Sequence, residues 1–281
     1  MTYKLSTAHL TKPVGICIVG VGGTGGFVAD GLCRLLIKSP GNRIMLVDHD
    51  RVETHNLRRQ HFYEGDVGKF KSKVMAERLS GMYGREILYT VYPFHRDLVA
   101  GAFNSNHWNG GMEVVVVGCV DNARARADMT DNVHEPCWYI DAGNGQSSGQ
   151  VLIGNIPDKK FLKAGFNPAN HTCVRLPTPS LQLPGLLAPG AETAKPDVDC
   201  AQAVEVEDQN PTINQAMAVL VVEMVRRLLN GTLDYMGVYL DLEAGSLRQV
   251  PAMPETVARM CSVKVNSLMS EVCPCCGKKH D

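Results

Sequence analysis

The chain has 281 residues and a formal net charge of −1, with 28 Lys and Arg against 29 Asp and Glu. This near balance leaves no basic excess to attract nucleic acid, so composition argues against that partner. With 44% hydrophobic residues the chain can bury a sizeable core and does not have a disordered composition.

No run approaches the ~20 apolar residues that span a bilayer, so no membrane partner is expected. Residues 1–12 lack the apolar core and cleavage pattern of a secretory leader. A cytoplasmic, reducing setting follows as an expectation, in which the ten cysteines read as catalytic or metal-binding thiols rather than bridges.

In chain order, Val14 to Val19 is a short apolar run ending at Gly20 and predicts a buried strand. Thr24 to Lys38 carries Phe27, Val28, Leu32, Leu35 and Leu36 at helical spacing, with a stop at Ser39-Pro40-Gly41. Arg43 to Val47 predicts a second strand ending at Asp48, which completes a right-handed parallel βαβ unit. Ser72 to Tyr83 predicts a helix stopped by Gly84, and Ile87 to Tyr92, Glu113 to Gly118 and Trp138 to Asp141 predict strands. Asp48, Asp121 and Asp141 then fall at the carboxyl ends of strands, where open α/β sheets bind ligands.

The stretch 157–208 is proline-rich and irregular, and it becomes acidic at Asp197, Asp199, Glu205, Glu207 and Asp208. A loop this long in a compact domain usually has a function. Asn210-Pro211 then caps a helix with Ile213, Met217, Leu220, Met224 and Leu228 on one face and Asn230-Gly231 at its end. Gly237 to Leu242 and Leu247 to Val250 predict a hairpin. The expected fold is α/β: a Rossmann-like, mainly parallel sheet with helices on both faces, extended by C-terminal antiparallel strands and a long crossover loop. One domain is expected over 1–281, with a nucleotide-binding part at about 13–156, the crossover loop at about 157–209, the helix and hairpin at about 210–252 and a Cys-rich tail at 253–281.

Gly20-Val21-Gly22-Gly23-Thr24-Gly25 matches the glycine pattern that lets backbone N–H groups approach an anion at a helix N-terminus. Asp48 lies where an acid would hold a ribose hydroxyl, so an NAD-dependent oxidoreductase explains these residues by themselves. It leaves Asn56, Arg59 and Lys71 unexplained. Fixed cations beside a glycine turn suit a triphosphate that reacts, because charge develops on the transferred and leaving oxygens. Mg²⁺ between phosphates needs one or two carboxylates, a role that suits Asp121. Taken singly, Arg58 and Arg59 read equally as solvated surface charges, and Lys71 as the start of a helix. Their joint spacing favours a site.

In the combination of the glycine turn with Asp48, Asn56, Arg59, Gln60, Lys71 and Asp121-Asn122, the chain resembles the ThiF/MoeB/HesA family, relatives of ubiquitin-activating enzymes. The resemblance covers Val14 to about Asn155 well and Cys200 to about Gly277 more loosely. The chain is also similar to the ThiF-like members of plasmid PRTRC systems. The resemblance implies a homodimeric adenylyltransferase that uses ATP and Mg²⁺ to adenylate the C-terminal glycine of a ubiquitin-like or sulfur-carrier protein. The implied nucleotide site comprises Gly20, Gly22, Gly23, Gly25, Asp48, Asp50, Asn56, Arg59, Gln60, Lys71, Asp121 and Asn122. Within it Asp48 holds the ribose, Asn56, Arg59 and Lys71 contact phosphates, and Asp121 binds Mg²⁺.

Family members often pass the acyl group to a Cys just before the long helix, and Asp199-Cys200-Ala201-Gln202 matches that placement. The implied catalytic set is therefore Arg59, Lys71, Asp121 and Cys200, with Cys173 the second candidate thiol. An unperturbed thiol has a pKa of ~8.5, and acidic neighbours such as Asp199 raise it, so another group must offset them. Cys17, Cys33 and Cys119 fall in or beside apolar elements and read as core. Cys273 and Cys276 form a C-x-x-C pair that would supply two of the four ligands of a tetrahedral Zn²⁺ site. No second such pair precedes it; His171, Cys173 or Cys275 could complete the set, against the plain reading of a tail with free thiols.

Residues 1–12 also lack the Arg with which some family members reach a partner's ATP, leaving Lys4, Lys12 or Arg58 as cations. Three other readings stay open: adenylation of a small-molecule or tRNA-bound carboxylate, as in dehydratases, the NAD-dependent oxidoreductase, and a non-catalytic nucleotide-binding adaptor.

Overall fold

The computed structural model describes residues 2–6, 13–103, 112–133, 137–188 and 211–270. The chain opens with β1 (Lys4–Leu5), β2 (Val14–Val19), α1 (Gly23–Leu35), β3 (Arg43–Val47), α2 (Lys71–Tyr83), β4 (Leu88–Thr90) and α3 (Arg96–Phe103). It continues with β5 (Glu113–Gly118), α4 (Ala123–Asn132), β6 (Trp138–Asn144), β7 (Ser148–Gly154), β8 (Phe166–Asn167), β9 (Thr172–Cys173) and α5 (Pro179–Gln182). After residue 210 come α6 (Pro211–Leu229), β10 (Tyr235–Asp241), β11 (Ser246–Pro251), α7 (Pro254–Cys261) and α8 (Val265–Leu268).

The main sheet has eight strands in the order β11-β10-β7-β6-β5-β2-β3-β4. The pairs from β4 through β3, β2 and β5 to β6 are parallel, and β7, β10 and β11 extend the sheet antiparallel. Side chains alternate between two cores, as the pleat dictates. Ile16, Ile18, Ile44, Leu46, Val115 and Val117 face the core shared with α1, α2 and α6. Cys17, Val19, Met45, Val47, Val114 and Val116 face the one shared with α3 and α4. Burial on both faces is why these strands read as unbroken apolar runs. The chain leaves β2 for β3 and β4 on one side and returns to β5 and β6 on the other. That reversal opens a crevice beyond the carboxyl ends of β2 and β5.

Several boundaries differ from expectation. The first helix ends at Leu35 instead of Lys38, and the strand expected at Trp138 to Asp141 runs on to Asn144 because β7 pairs with it. Neither β7 nor α4 was legible: β7 begins Ser148-Gly149-Gln150, a turn-like composition, and α4 buries only Met129 and Thr130, too few for an apolar stripe.

The described part of the irregular stretch, 157–188, is ordered by side-chain amides that replace a ladder. Gln182 Nε2 donates to the carbonyls of Ile153 at 2.7 Å and Pro177 at 2.8 Å, and Asn155 Nδ2 donates to that of Val174 at 2.8 Å. A separate three-stranded sheet, β1-β9-β8, fastens the N-terminal segment to this stretch. Among the described residues no helix is long and apolar enough to cross a membrane.

Candidate functional site

The crevice is a cleft of about 890 Å³. Its floor is set by the turn out of β2. Gly20 takes a φ of +84°, which favours glycine. A Cβ on Gly25 would lie 1.8 Å from the Gly20 carbonyl oxygen, so α1 starts hard against the strand it follows. Gly20 N–H donates to Val47 O at 2.9 Å and Cys119 N–H to Val19 O at 2.8 Å, pinning the turn between β3 and β5.

Asp48, just after β3, is buried and joined to that turn. Its Oδ2 accepts from Val21 N–H at 2.6 Å and its Oδ1 from Asp50 N–H at 2.8 Å. Burial raises its pKa, and those two bonds and the Lys71 charge offset only part of that rise. Lys71 is the first residue of α2, and its Nζ reaches Asp50 Oδ2 at 3.1 Å. Ser72 Oγ beside it donates to Asp48 O at 2.8 Å, tying the start of α2 to the end of β3.

Gly20, Gly22, Gly23, Asp48, Asp50, Arg59, Gln60, Lys71, Asp121 and Asn122 all line the cleft. Gly25 and Asn56 lie outside its wall. Asn56 is buried in the 3₁₀ turn Thr54–Arg58, where its Oδ1 accepts from Glu53 N–H at 3.0 Å. Its carbonyl accepts from Arg59 N–H at 3.2 Å and Gln60 N–H at 2.8 Å, so it positions those two from behind. Asp121 is exposed on the wall. Asn122 is the N-cap of α4, its Oδ1 accepting from Ala125 N–H at 2.8 Å. Arg58 and Lys4 lie away from the wall, Lys4 in β1.

The structure adds residues that sequence reading passed over. Arg126, four residues beyond Asn122 and so one helical turn along α4, lines the cleft. Its Nε lies 3.3 Å from both carboxylate oxygens of Asp141, and another of its nitrogens donates to Val120 O at 2.7 Å. Asp141, expected as a ligand at a strand end, is instead enclosed within β6 and paired, with Tyr139 OH donating to it at 2.7 Å. Burial raises the pKa of Asp141, with Arg126 opposing, and raises that of Tyr139. Asn144 and Asn214 also line the cleft. Asn214 precedes Met217 and Ala218 by one helical turn and is buried on the same face of α6, a spacing signal that the sequence carries but that apolar periodicity passes over.

Of the thiols, Cys17 and Cys33 are buried as expected, whereas Cys119 reaches the cleft wall. Burial pushes the Cys119 thiol well up, away from thiolate character. Cys173 is buried, its Sγ donating to Arg175 O at 3.4 Å, and burial raises its pKa too. Cys200, Cys273, Cys275, Cys276 and Lys12 lie outside the described residues. Among the described residues no group of three or more His, Cys, Asp or Glu is placed to hold a metal ion.

Comparison with known proteins bears on this cleft. A tRNA threonylcarbamoyladenosine dehydratase of Haemophilus influenzae is 29% identical over 127 residues, covering 45% of this chain and 43% of that protein. A ubiquitin-like modifier-activating enzyme 5 of Oryza sativa subsp. japonica is 33% identical over 129 residues, covering 43% of this chain and 29% of that protein. The matched region thus spans less than half the length of either relative. Among solved structures, Escherichia coli MccB with succinimide has a TM-score of 0.53 at 18% identity, covering 88% of this chain and 66% of that one, a likeness of fold. The ThiF family model matches residues 8–269, and the chain belongs to the ThiF family.

Proposed function

We propose that this chain is an adenylyltransferase that uses ATP to activate the C-terminal glycine carboxylate of a ubiquitin-like or sulfur-carrier protein. The observation that carries this reading is the convergence, on one cleft, of a glycine turn at a helix N-terminus, a buried acid tied to that turn, and two cations, Arg59 and Lys71.

In this reading each Asp48 oxygen keeps a second lone pair for a ribose hydroxyl while the first holds the backbone. The phosphates sit over the N–H groups of the turn. An oxygen of the incoming carboxylate attacks the α-phosphate, the bond from that phosphorus to the bridging oxygen breaks, and pyrophosphate leaves. Lys71 and Arg59 stabilise the charge that develops on the phosphate oxygens. Asp121, an exposed carboxylate on the wall, fits a hard cation such as Mg²⁺, which when bound neutralises phosphate charge. The thiolate of Cys200 then takes the acyl group and AMP leaves. Zn²⁺ would draw on Cys273 and Cys276, and no step depends on it. Homodimerisation belongs to the same reading.

ATP–pyrophosphate exchange tests the proposal. Arg59→Ala should abolish exchange without altering the circular dichroism of the fold, and retained exchange refutes the assignment. Cys200→Ala should keep exchange and lose a thiol-sensitive acyl adduct. Exchange stimulated by tRNA instead of protein would move the substrate to a tRNA-bound carboxylate. Thermal stabilisation by NAD alone, with none from Mg-ATP, would turn the reading to an oxidoreductase.

A further inference from the structure

Asn214 is 1% exposed, and its Nδ2 has no hydrogen-bond partner among the described residues. Its Oδ1 is well provided for. Asn144 Nδ2 donates to it at 3.1 Å, and Thr24 Oγ1 lies 3.3 Å away. Thr24 Oγ1 is also 3.1 Å from Asn144 Oδ1, so side chains from α1, β6 and α6 close one polar cluster beneath the glycine turn. This fixes the amide plane, with the oxygen toward Thr24 and Asn144 and the nitrogen toward Gly23. A Cβ on Gly23 would lie only 2.5 Å from Nδ2.

A side chain whose role were only to join Thr24 and Asn144 needs its oxygen alone. The nitrogen carries two N–H donors, and a donor buried unpaired loses its hydration without compensation. Asn214 lines the cleft, and its donor lies beside Gly23 in the first turn of a 13-residue helix whose free N–H groups attract anions. An anionic oxygen seated on the turn would satisfy both the helix end and the amide.

We infer that Asn214 donates a hydrogen bond through Nδ2 to a phosphate oxygen of the nucleotide held at the glycine turn. The inference rests on the nucleotide reading above and adds to it a phosphate ligand from α6, far beyond Arg59 and Lys71 in the sequence. It also gives Gly23 a reason to be glycine: a side chain there would displace the donor.

The test is equilibrium dialysis of the full chain against Mg-ATP and, separately, adenosine. Asn214→Leu removes the donor at similar size without adding charge. Asn214→Asp keeps an acceptor for Thr24 and Asn144 and therefore guards against a variant that fails to fold. Both should weaken Mg-ATP binding about tenfold or more, Asp more than Leu, while adenosine binding stays as in the wild type. ATP affinity unchanged in a folded variant, or ATP and adenosine weakened equally, overturns the inference while wild-type ATP binding upholds the nucleotide reading. A wild-type chain that does not bind Mg-ATP refutes that reading and the role of Asn214 with it.

Discussion

Lys71 Nζ lies 3.1 Å from Asp50 Oδ2, and the two side chains are unequally open to water, 9% exposed for Lys71 and 56% for Asp50. A buried cation thus draws its compensation from an acid that solvent can replace. A phosphate oxygen arriving in the cleft competes with Asp50 for a charge already in position. Lys71→Met keeps the aliphatic stem and removes that charge. Pyrophosphate exchange should fall at least about a hundredfold. Urea unfolding should move by no more than about 1 kcal/mol, because the Asp50 left behind is largely hydrated. A loss of several kcal/mol would make the pair structural instead.

The Arg126–Asp141 pair should behave in the opposite way. Asp141 is 1% exposed and Arg126 12%, so removing one partner strands a charge away from water. Arg126→Leu should cost about 3–5 kcal/mol in urea unfolding, well beyond the effect of Lys71→Met. Unfolding midpoints that match the wild type would refute this account of the pair.

Two glycine substitutions separate contact from conformation. Gly25→Ala would press a methyl group to 1.8 Å from the Gly20 carbonyl oxygen, so the turn must open. Mg-ATP affinity and melting temperature should fall together. Gly68→Ala meets nothing within 4 Å but keeps a φ of +83°. Its cost should be the left-handed strain alone, about 1–2 kcal/mol, with nucleotide affinity intact. Equal effects of the two on ATP binding would count against the turn as the phosphate site.

The guanidinium groups of Arg226 and Arg227 hold the Glu223 carboxyl at about 2, well below its usual range. A carboxyl with a depressed folded-state pKa stabilises the protein above its unfolded pKa of ~4.3, and the effect is lost as pH falls toward the folded value. Glu223 is 35% exposed, so solvent screening limits the gain to about 0.5–1 kcal/mol. Glu223→Gln should be less stable than wild type by that amount at pH 7, and the two should converge as pH drops from 4.5 toward 2. A difference that is constant over that range would place the effect in packing.

What was legible beforehand follows from where the information lies along the chain. The strands β2, β3 and β5 announce themselves because both faces are buried. Asp48, Arg59, Lys71 and Asp121 could be picked out because they fall in one stretch after the glycine turn or at a strand end, and all reach the cleft. Asn56 was legible as part of the motif but not as a residue behind the wall, since spacing does not tell a ligand from the residue that supports it. Asp141 was visible only as an acid at a strand end, and its partner on α4 was not. The partners of Asn214 are Asn144, 70 positions away, and Thr24, 190 positions away, a relationship no local pattern records.

The small sheet built on β1 has a consequence for synthesis. Lys4 N–H donates to His171 O at 2.9 Å, Leu5 N–H to Leu233 O at 2.7 Å and Tyr3 N–H to Ala252 O at 3.0 Å. A ribosome adding ~5–20 residues per second therefore makes the segment from Thr2 to Ser6 roughly ten to fifty seconds before its last partner exists. Until residues 171–173 are made, Tyr3 and Leu5 are apolar side chains on a strand with nothing to pair with, and the N–H groups of Leu5 and Tyr3 wait longer still, for Leu233 and Ala252, while the parallel core behind them can already assemble. The segment is thus made before the parallel core and fully fixed after it, its last backbone hydrogen bond waiting for the residue that follows the final strand of the main sheet.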